Sequence, residues 1–199
     1  MIHEAHWERL AALHPEDVCR RTGATYLSAE RSYLLPLLGS QVIVDMDKRQ
    51  VRWSGSTSPP RRSPGFHATL FAVVYLIEAK DIAPSGDWVT AEALRSGSFF
   101  FRGPHVVPTD RIALKYGHDR EAFLAMGRRL SGEVVEMGDA CIQLPVVPRI
   151  TVRLVLWLGD DEFPPRVTML FDRLVDEHVP LDVLHSMTHL VVDELLRAA

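Results

Sequence analysis

The run Phe66 to Ala79, FHATLFAVVYLIEA, constrains the fold more than any other segment of the chain. It is apolar on nearly every face, so a helix built from it has no side to give to water. At about 14 residues it falls short of the roughly 20 needed to cross a bilayer, which makes it a buried helix around which other elements must pack. The remaining sequence has to supply apolar surface on all sides of this hub. It has the material: 47% of the 199 residues are apolar and 24% charged, the proportions of an ordinary globular protein. A chain of this length can hide roughly 70% of the surface that its unfolded state exposes.

The elements before the hub read as two short helices and a meander. Trp7, Leu10, Ala11 and Leu13 fall at helical spacing. Pro15-Glu16-Asp17 opens a second helix that Arg20, Arg21 and Gly23 close, an order that suits both the helix dipole and its caps. Short β-rich runs follow at Thr25–Leu27, Tyr33–Leu35, Gln41–Val44 and Gln50–Trp53. Ser54 to Gly65, SGSTSPPRRSPG, has the composition of a linker, with Arg61 and Arg62 as its exposed charges.

Beyond the hub, Trp88–Thr90 reads as a strand, Ala91–Leu94 as a helical turn, and Thr109–Tyr116 and Arg120–Leu130 as helices, the last capped by Asp119. Strands return at Val134-Val135, Ala140–Leu144 and Ile150–Leu158, and Leu181–Arg197 closes the chain as an amphipathic helix. The expected fold class is α+β, with small antiparallel sheet elements packed around a central buried helix and a C-terminal amphipathic helix. Residues 1–199 are expected to form a single compact unit, with a sub-boundary at 54–65 between a helical and meander segment (1–53) and a helix-centred part (66–199).

Charge and cysteine usage remove several functions. With 26 acidic against 22 basic residues the net charge is −4, and Arg61-Arg62 is too small a patch for a nucleic-acid partner. No apolar run spans a membrane, and Met1 to Leu10 carries His, Glu and Arg where a signal peptide needs an apolar core, so a cytoplasmic protein is expected. Cys19 and Cys141 show no metal or disulfide spacing and read as reduced structural thiols, although Arg20 and Arg21 beside Cys19 would favour its thiolate. No phosphate-binding glycine loop, nucleophile elbow or dinucleotide fingerprint occurs.

Several short motifs look familiar together: Arg21-Thr22-Gly23-Ala24, Pro36-Leu37-Leu38-Gly39, Asp87-Trp88-Val89, Gly97-Ser98-Phe99-Phe100 and Gly138-Asp139-Ala140. The most specific is Trp157-Leu158-Gly159-Asp160-Asp161-Glu162-Phe163-Pro164-Pro165, followed by Leu170-Phe171-Asp172. In this order, from about Cys19 to Leu196, the chain resembles an uncharacterised bacterial family, the domain of unknown function 3786. The resemblance implies no established activity. Some members of that family look fused to iron–sulfur modules or occur in anaerobes rich in corrinoid chemistry, which implies a metalloprotein partner. Two isolated cysteines cannot supply the four thiolates of a cluster in this chain itself.

Three constellations can carry chemistry. Asp160, Asp161 and Glu162 follow an apolar strand, and three adjacent carboxylates can hold a cation or pair a protonated with an ionised acid; Asp172 would join them if the chain folds back. The simpler reading is a turn in which an Asp accepts backbone N–H bonds and the Phe163 ring anchors the loop in the core. His185, His189 and Asp193 share one face of the terminal helix and are the candidate metal ligands, with His178 the nearest further imidazole. A polar stripe beside the buried positions explains the same spacing, and no metal site is assigned. Phe99, Phe100 and Phe101 supply either core area or an aromatic wall. In the second case Trp88, Phe99, Phe100, Arg102 and His105 line a pocket for a flat, anionic small molecule.

The leading expectation is an accessory module that binds a small molecule or cofactor whose identity the residues do not specify. The alternatives are a metal-assisted hydrolase or lyase acting through Asp160, Asp161 and Glu162, and a protein-interaction domain.

Overall fold

Helix α1 (Glu4–Ala11) turns Trp7 and Leu10 inward, and α2 (Pro15–Thr22) opens on its proline and stops at Gly23. In the computed structural model, which describes residues 2–55 and 63–197, Gly23 has φ +72°, and a Cβ there would lie 2.8 Å from Pro148. Both the left-handed backbone and this close approach require glycine. Four strands follow as an antiparallel meander in chain order: β1 (Thr25–Leu27), β2 (Ser32–Leu37), β3 (Ser40–Asp45) and β4 (Gln50–Trp53). On β4 the period of two is plain, with Val51 and Trp53 buried and Gln50 and Arg52 exposed. The core of the linker, residues 56–62 with Arg61 and Arg62, lies outside the described residues.

The hub is α3 (Phe66–Glu78), in which Phe71, Tyr75 and Leu76 are fully buried. Its Tyr75 hydroxyl donates to the Thr22 carbonyl at 2.9 Å and accepts from the Arg149 N–H at 3.2 Å. The C-terminal helix, α7 (Leu181–Arg197), packs along α3 with Leu184, Met187, Thr188, Val191 and Leu195 buried, the stripe that the sequence spacing implies.

The second sheet is antiparallel with spatial order β5-β9-β8-β7-β6, from β5 (Trp88–Thr90), β6 (Glu133–Val135), β7 (Ala140–Val147), β8 (Ile150–Trp157) and β9 (Arg166–Asp172). Between β5 and β6 come α4 (Gly97–Phe100), α5 (Asp110–Tyr116) and α6 (Arg120–Arg129); the Asp119 carboxylate caps α6 by accepting from the Ala122 N–H at 2.9 Å. The Leu38 N–H donates to the Val146 carbonyl at 2.9 Å and ties the two sheets together. One cluster of buried apolar residues, from Ile2 to Leu195, takes side chains from both sheets and from the long helices. The fold class is α+β, as the element pattern implies.

Three local readings differ. Strand β9 is absent from the sequence-based expectation, because half-buried Thr168 and Leu170 blur the alternation of buried Val167, Met169 and Phe171. Phe99 to Phe101 form neither a continuous core segment nor one wall: the chain turns at Ser96, φ +61°, into α4, which buries Phe101 and exposes Phe99. The Phe163 ring is 66% exposed, so it does not anchor the acidic loop. Among the described residues no helix is long and apolar enough to cross a membrane.

Candidate functional site

His185 and His189 stand one turn apart on α7, so their rings project from the same face. Two other segments add rings to this face. The first turn of α3 contributes Phe66 and His67, while α4 and the 3-10 turn Gly103–His105 contribute Phe100, Phe101 and His105. The result is a chain of contacting rings. His67 stacks on His189 with centroids 4.8 Å apart and planes 11° apart. His189 meets His185 edge-on at 4.7 Å, and His185 meets His105 edge-on at 5.4 Å. His105 in turn stacks on Phe100 at 4.6 Å.

Burial sets the charge of these imidazoles. It holds His67, His185 and His189 below the ordinary imidazole range, and for His185 and His189 a neighbouring histidine adds to the effect. At neutral pH they are therefore neutral bases with one lone pair each. The Nδ1 of His67 lies 3.3 Å from the Ser186 hydroxyl. The Val106 backbone beside His185 opposes the effect of burial, while the His185 Nε2 is buried and has no partner among the described residues.

The residues proposed from sequence divide between this cluster and the rest of the surface. Phe100, His105, His185 and His189 come together. Asp193 continues the same row, but its carboxylate is held by Arg111 on α5 at 2.7 Å. Phe99 is 81% exposed, with the Arg102 guanidinium 5.7 Å from its ring centre. Trp88 lies on β5 under the guanidinium of Arg153, 4.1 Å away. His178 is buried elsewhere, where its Nδ1 accepts from the Lys80 N–H at 3.3 Å. Sequence reasoning missed His67 and Ser186. A single histidine in the otherwise apolar opening of the hub helix was the available signal for the first.

The acidic loop is a hydrogen-bonded turn. The Asp160 carboxylate accepts from the N–H groups of Phe163 at 2.7 Å and Glu162 at 2.9 Å, and these two bonds pull its pKa down. Asp161 and Glu162 are exposed. Asp172 does not join them, because β9 carries it to the far end of the sheet opposite Trp88. There it accepts from the N–H groups of Gly86 at 2.7 Å, Leu174 at 3.0 Å and Ser85 at 3.1 Å, which together outweigh its burial and lower its pKa. Asp139 likewise accepts from the Leu158 N–H at 2.7 Å. Burial pushes both the Cys19 and Cys141 thiols up, so at Cys19 the nearby arginines do not produce a thiolate.

Cavities of about 330, 320 and 320 Å³ lie at α5 with Pro164–Val167, at the β2–β3 and β7–β8 turns, and beside His178, none of them bordering the rings. Among the described residues no three histidine, cysteine or acidic side chains already converge as a metal cage.

No curated protein and no solved structure matches the chain. The family comparison does give a match, to the Domain of unknown function (DUF3786), over residues 14–194. That match covers nearly the whole chain, both sheets and all the rings of the cluster, and it shows that the chain belongs to the DUF3786 family.

Proposed function

We propose that the protein is a cytoplasmic accessory module that binds a small ligand, and that the ring cluster on α7 is its site. The observation that carries this reading is the buried Nε2 of His185, which has no partner among the described residues. Buried polar atoms in folded proteins are nearly always paired, and leaving one unpaired costs about 1–3 kcal/mol. A ligand that accepts the lone pair offsets that cost. The half-buried imidazoles of His67 and His189, exposed His105 and the Phe100 ring offer base and ring contacts.

The cluster favours binding over catalysis. Its hydroxyl residue, Ser186, is 6% exposed, and the hydroxyl serves the His67 ring. A nucleophile has to be within reach of its substrate, and this one faces a packed ring. The two free cysteines suit a reducing compartment. A small ligand explains an orphaned nitrogen better than a metalloprotein partner does, because the atom lies beneath the surface.

Native mass spectrometry with elemental analysis tests the reading on protein purified without chelators. The expected result is a retained non-covalent mass on the wild type that His185→Phe loses, since phenylalanine fills the ring's place without its lone pair. A bare chain mass for both proteins overturns it.

A further inference from the structure

We infer that the ligand of this site is a divalent late transition-metal ion, held by Nε2 of His185 together with an imidazole nitrogen of His189. This rests on the binding reading above and gives it a chemical class. The first argument is space. Rings whose centres are 4.7 to 5.4 Å apart are already in contact, so no organic molecule fits between them, while exposed His105 and half-buried His189 leave the edge of the cluster open to water.

The second argument is distance. A metal–nitrogen bond of about 2.0–2.1 Å places the ion roughly 3.2 Å from each ring centre. Two imidazoles on one tetrahedral ion then have centres about 5.2 Å apart, and about 4.5 Å apart for a right-angled pair. The His185–His189 separation of 4.7 Å falls inside that interval. Their planes are 86° apart, so, unlike a stacked pair, the two rings can turn their in-plane lone pairs to one ion. His67 and His189 are nearly parallel, so their in-plane lone pairs cannot meet, and His67 is a positioning residue that fixes the His189 ring.

The third argument is the state of His185. A ligating histidine commonly uses its other nitrogen on a backbone carbonyl or a carboxylate, which fixes the tautomer. With the Val106 backbone beside its ring and no partner at the buried Nε2 among the described residues, His185 leaves that nitrogen open to an ion. Arg111 occupies Asp193, one turn further on, so the ion receives two neutral ligands and completes its shell with water. Imidazole donors select zinc, copper, nickel and cobalt over magnesium or calcium.

The test uses the full chain, stripped with a chelator, returned to chelator-free buffer and titrated with zinc, cobalt, nickel and copper chlorides by calorimetry. One ion per chain is expected, with affinity rising from cobalt through nickel to copper. His189→Ala and His185→Phe should each weaken binding by about tenfold or more, whereas the exposed His14→Ala should not. Because a variant at a packed ring can fail to fold, the wild type is also followed by imidazole 15N resonances during zinc addition. A shift at His185 Nε2 supports the site. No binding, binding that both variants retain, or shifts confined to other histidines overturns it. If native mass spectrometry then shows an organic adduct lost in His185→Phe, the metal assignment is wrong and the binding module stands; a bare chain in both experiments removes both.

Discussion

Two buried tyrosines, one with partners and one without, should respond in opposite ways to loss of the same atom. The Tyr75 hydroxyl joins three parts of the chain: its own helix α3, the end of α2 through the Thr22 carbonyl, and the β7–β8 turn through the Arg149 N–H. Tyr75→Phe leaves both backbone groups in place, with Thr22 wholly buried and the Arg149 side chain half-buried. Each orphaned group costs about 1–3 kcal/mol, and the second lone pair of the carbonyl places the total in the lower half of the summed range, at about 2–4 kcal/mol. The Tyr116 hydroxyl is also buried but has no partner among the described residues. Tyr116→Phe removes an unsatisfied oxygen, so its expected effect lies between nothing and a gain of about 1 kcal/mol. Urea unfolding of the two variants and the wild type, monitored by tryptophan fluorescence and far-UV circular dichroism, reads both differences. Equal losses in the two variants would refute the reasoning, because ring packing and not the hydrogen bonds would then set the cost.

Other outcomes follow from single sites. Burial, with Arg149 and Lys80 adding to it against Asp172 and Glu177, holds His178 below its ordinary value of 6.5, so the folded state keeps it neutral. The unfolded chain takes up that proton first as pH falls; stability should be full above about 6.5 and decline below it until the lower folded value is passed. His178→Asn, which keeps an acceptor for Lys80, should flatten that part of a melting-temperature profile, and an unchanged slope would remove His178 as its source. A Cβ at Gly97 would lie 2.0 Å from the Ala91 carbonyl oxygen. Gly97→Ala should therefore cost about 1–3 kcal/mol and move the His105 and His185 imidazole resonances together, whereas resonances that stay put would show that α4 does not position His105. Asp160→Ala should lower the melting temperature by the same amount with and without magnesium or calcium, because the carboxylate serves two backbone N–H groups; a cation-dependent difference would restore the acidic-loop site.

What was legible in the sequence depended on whether a local rule decided the outcome. The hub helix, the meander, Asp119 as a cap and the terminal helix all follow from periodicity or capping, and those operate within a few residues. Strand β9 was not legible because its pattern acquires meaning only between β5 and β8, where Phe171 becomes a core residue. The ring cluster was half legible. Four-residue spacing places His185 and His189 on one face, but His67 reaches His189 from 122 positions away along the chain and His105 reaches His185 from 80. Nothing in the local sequence of either announces that contact.

The motifs that make the chain recognisable and the residues that form its site are different sets, and physical chemistry accounts for the division. Asp139, Asp160 and Asp172 each serve one to three backbone N–H groups at a turn next to the second sheet. A short acidic side chain next to a turn is a local solution, so it appears as a compact motif. The rings come instead from α3, from the α4 segment and from α7, and they meet only after the hub and terminal helices have packed. An ion bound to His185 and His189 alone spans a single helical turn, which weakly ordered α7 can also present. Such an ion stabilises the fold by less than the roughly 2.7 kcal/mol that a folded-state-only ligand gives at a hundred times its dissociation constant. A thermal shift that is small for the measured affinity is therefore the signature of the two-histidine site, while a shift near the full value would place a further ligand, from α3 or the α4 segment, on the ion.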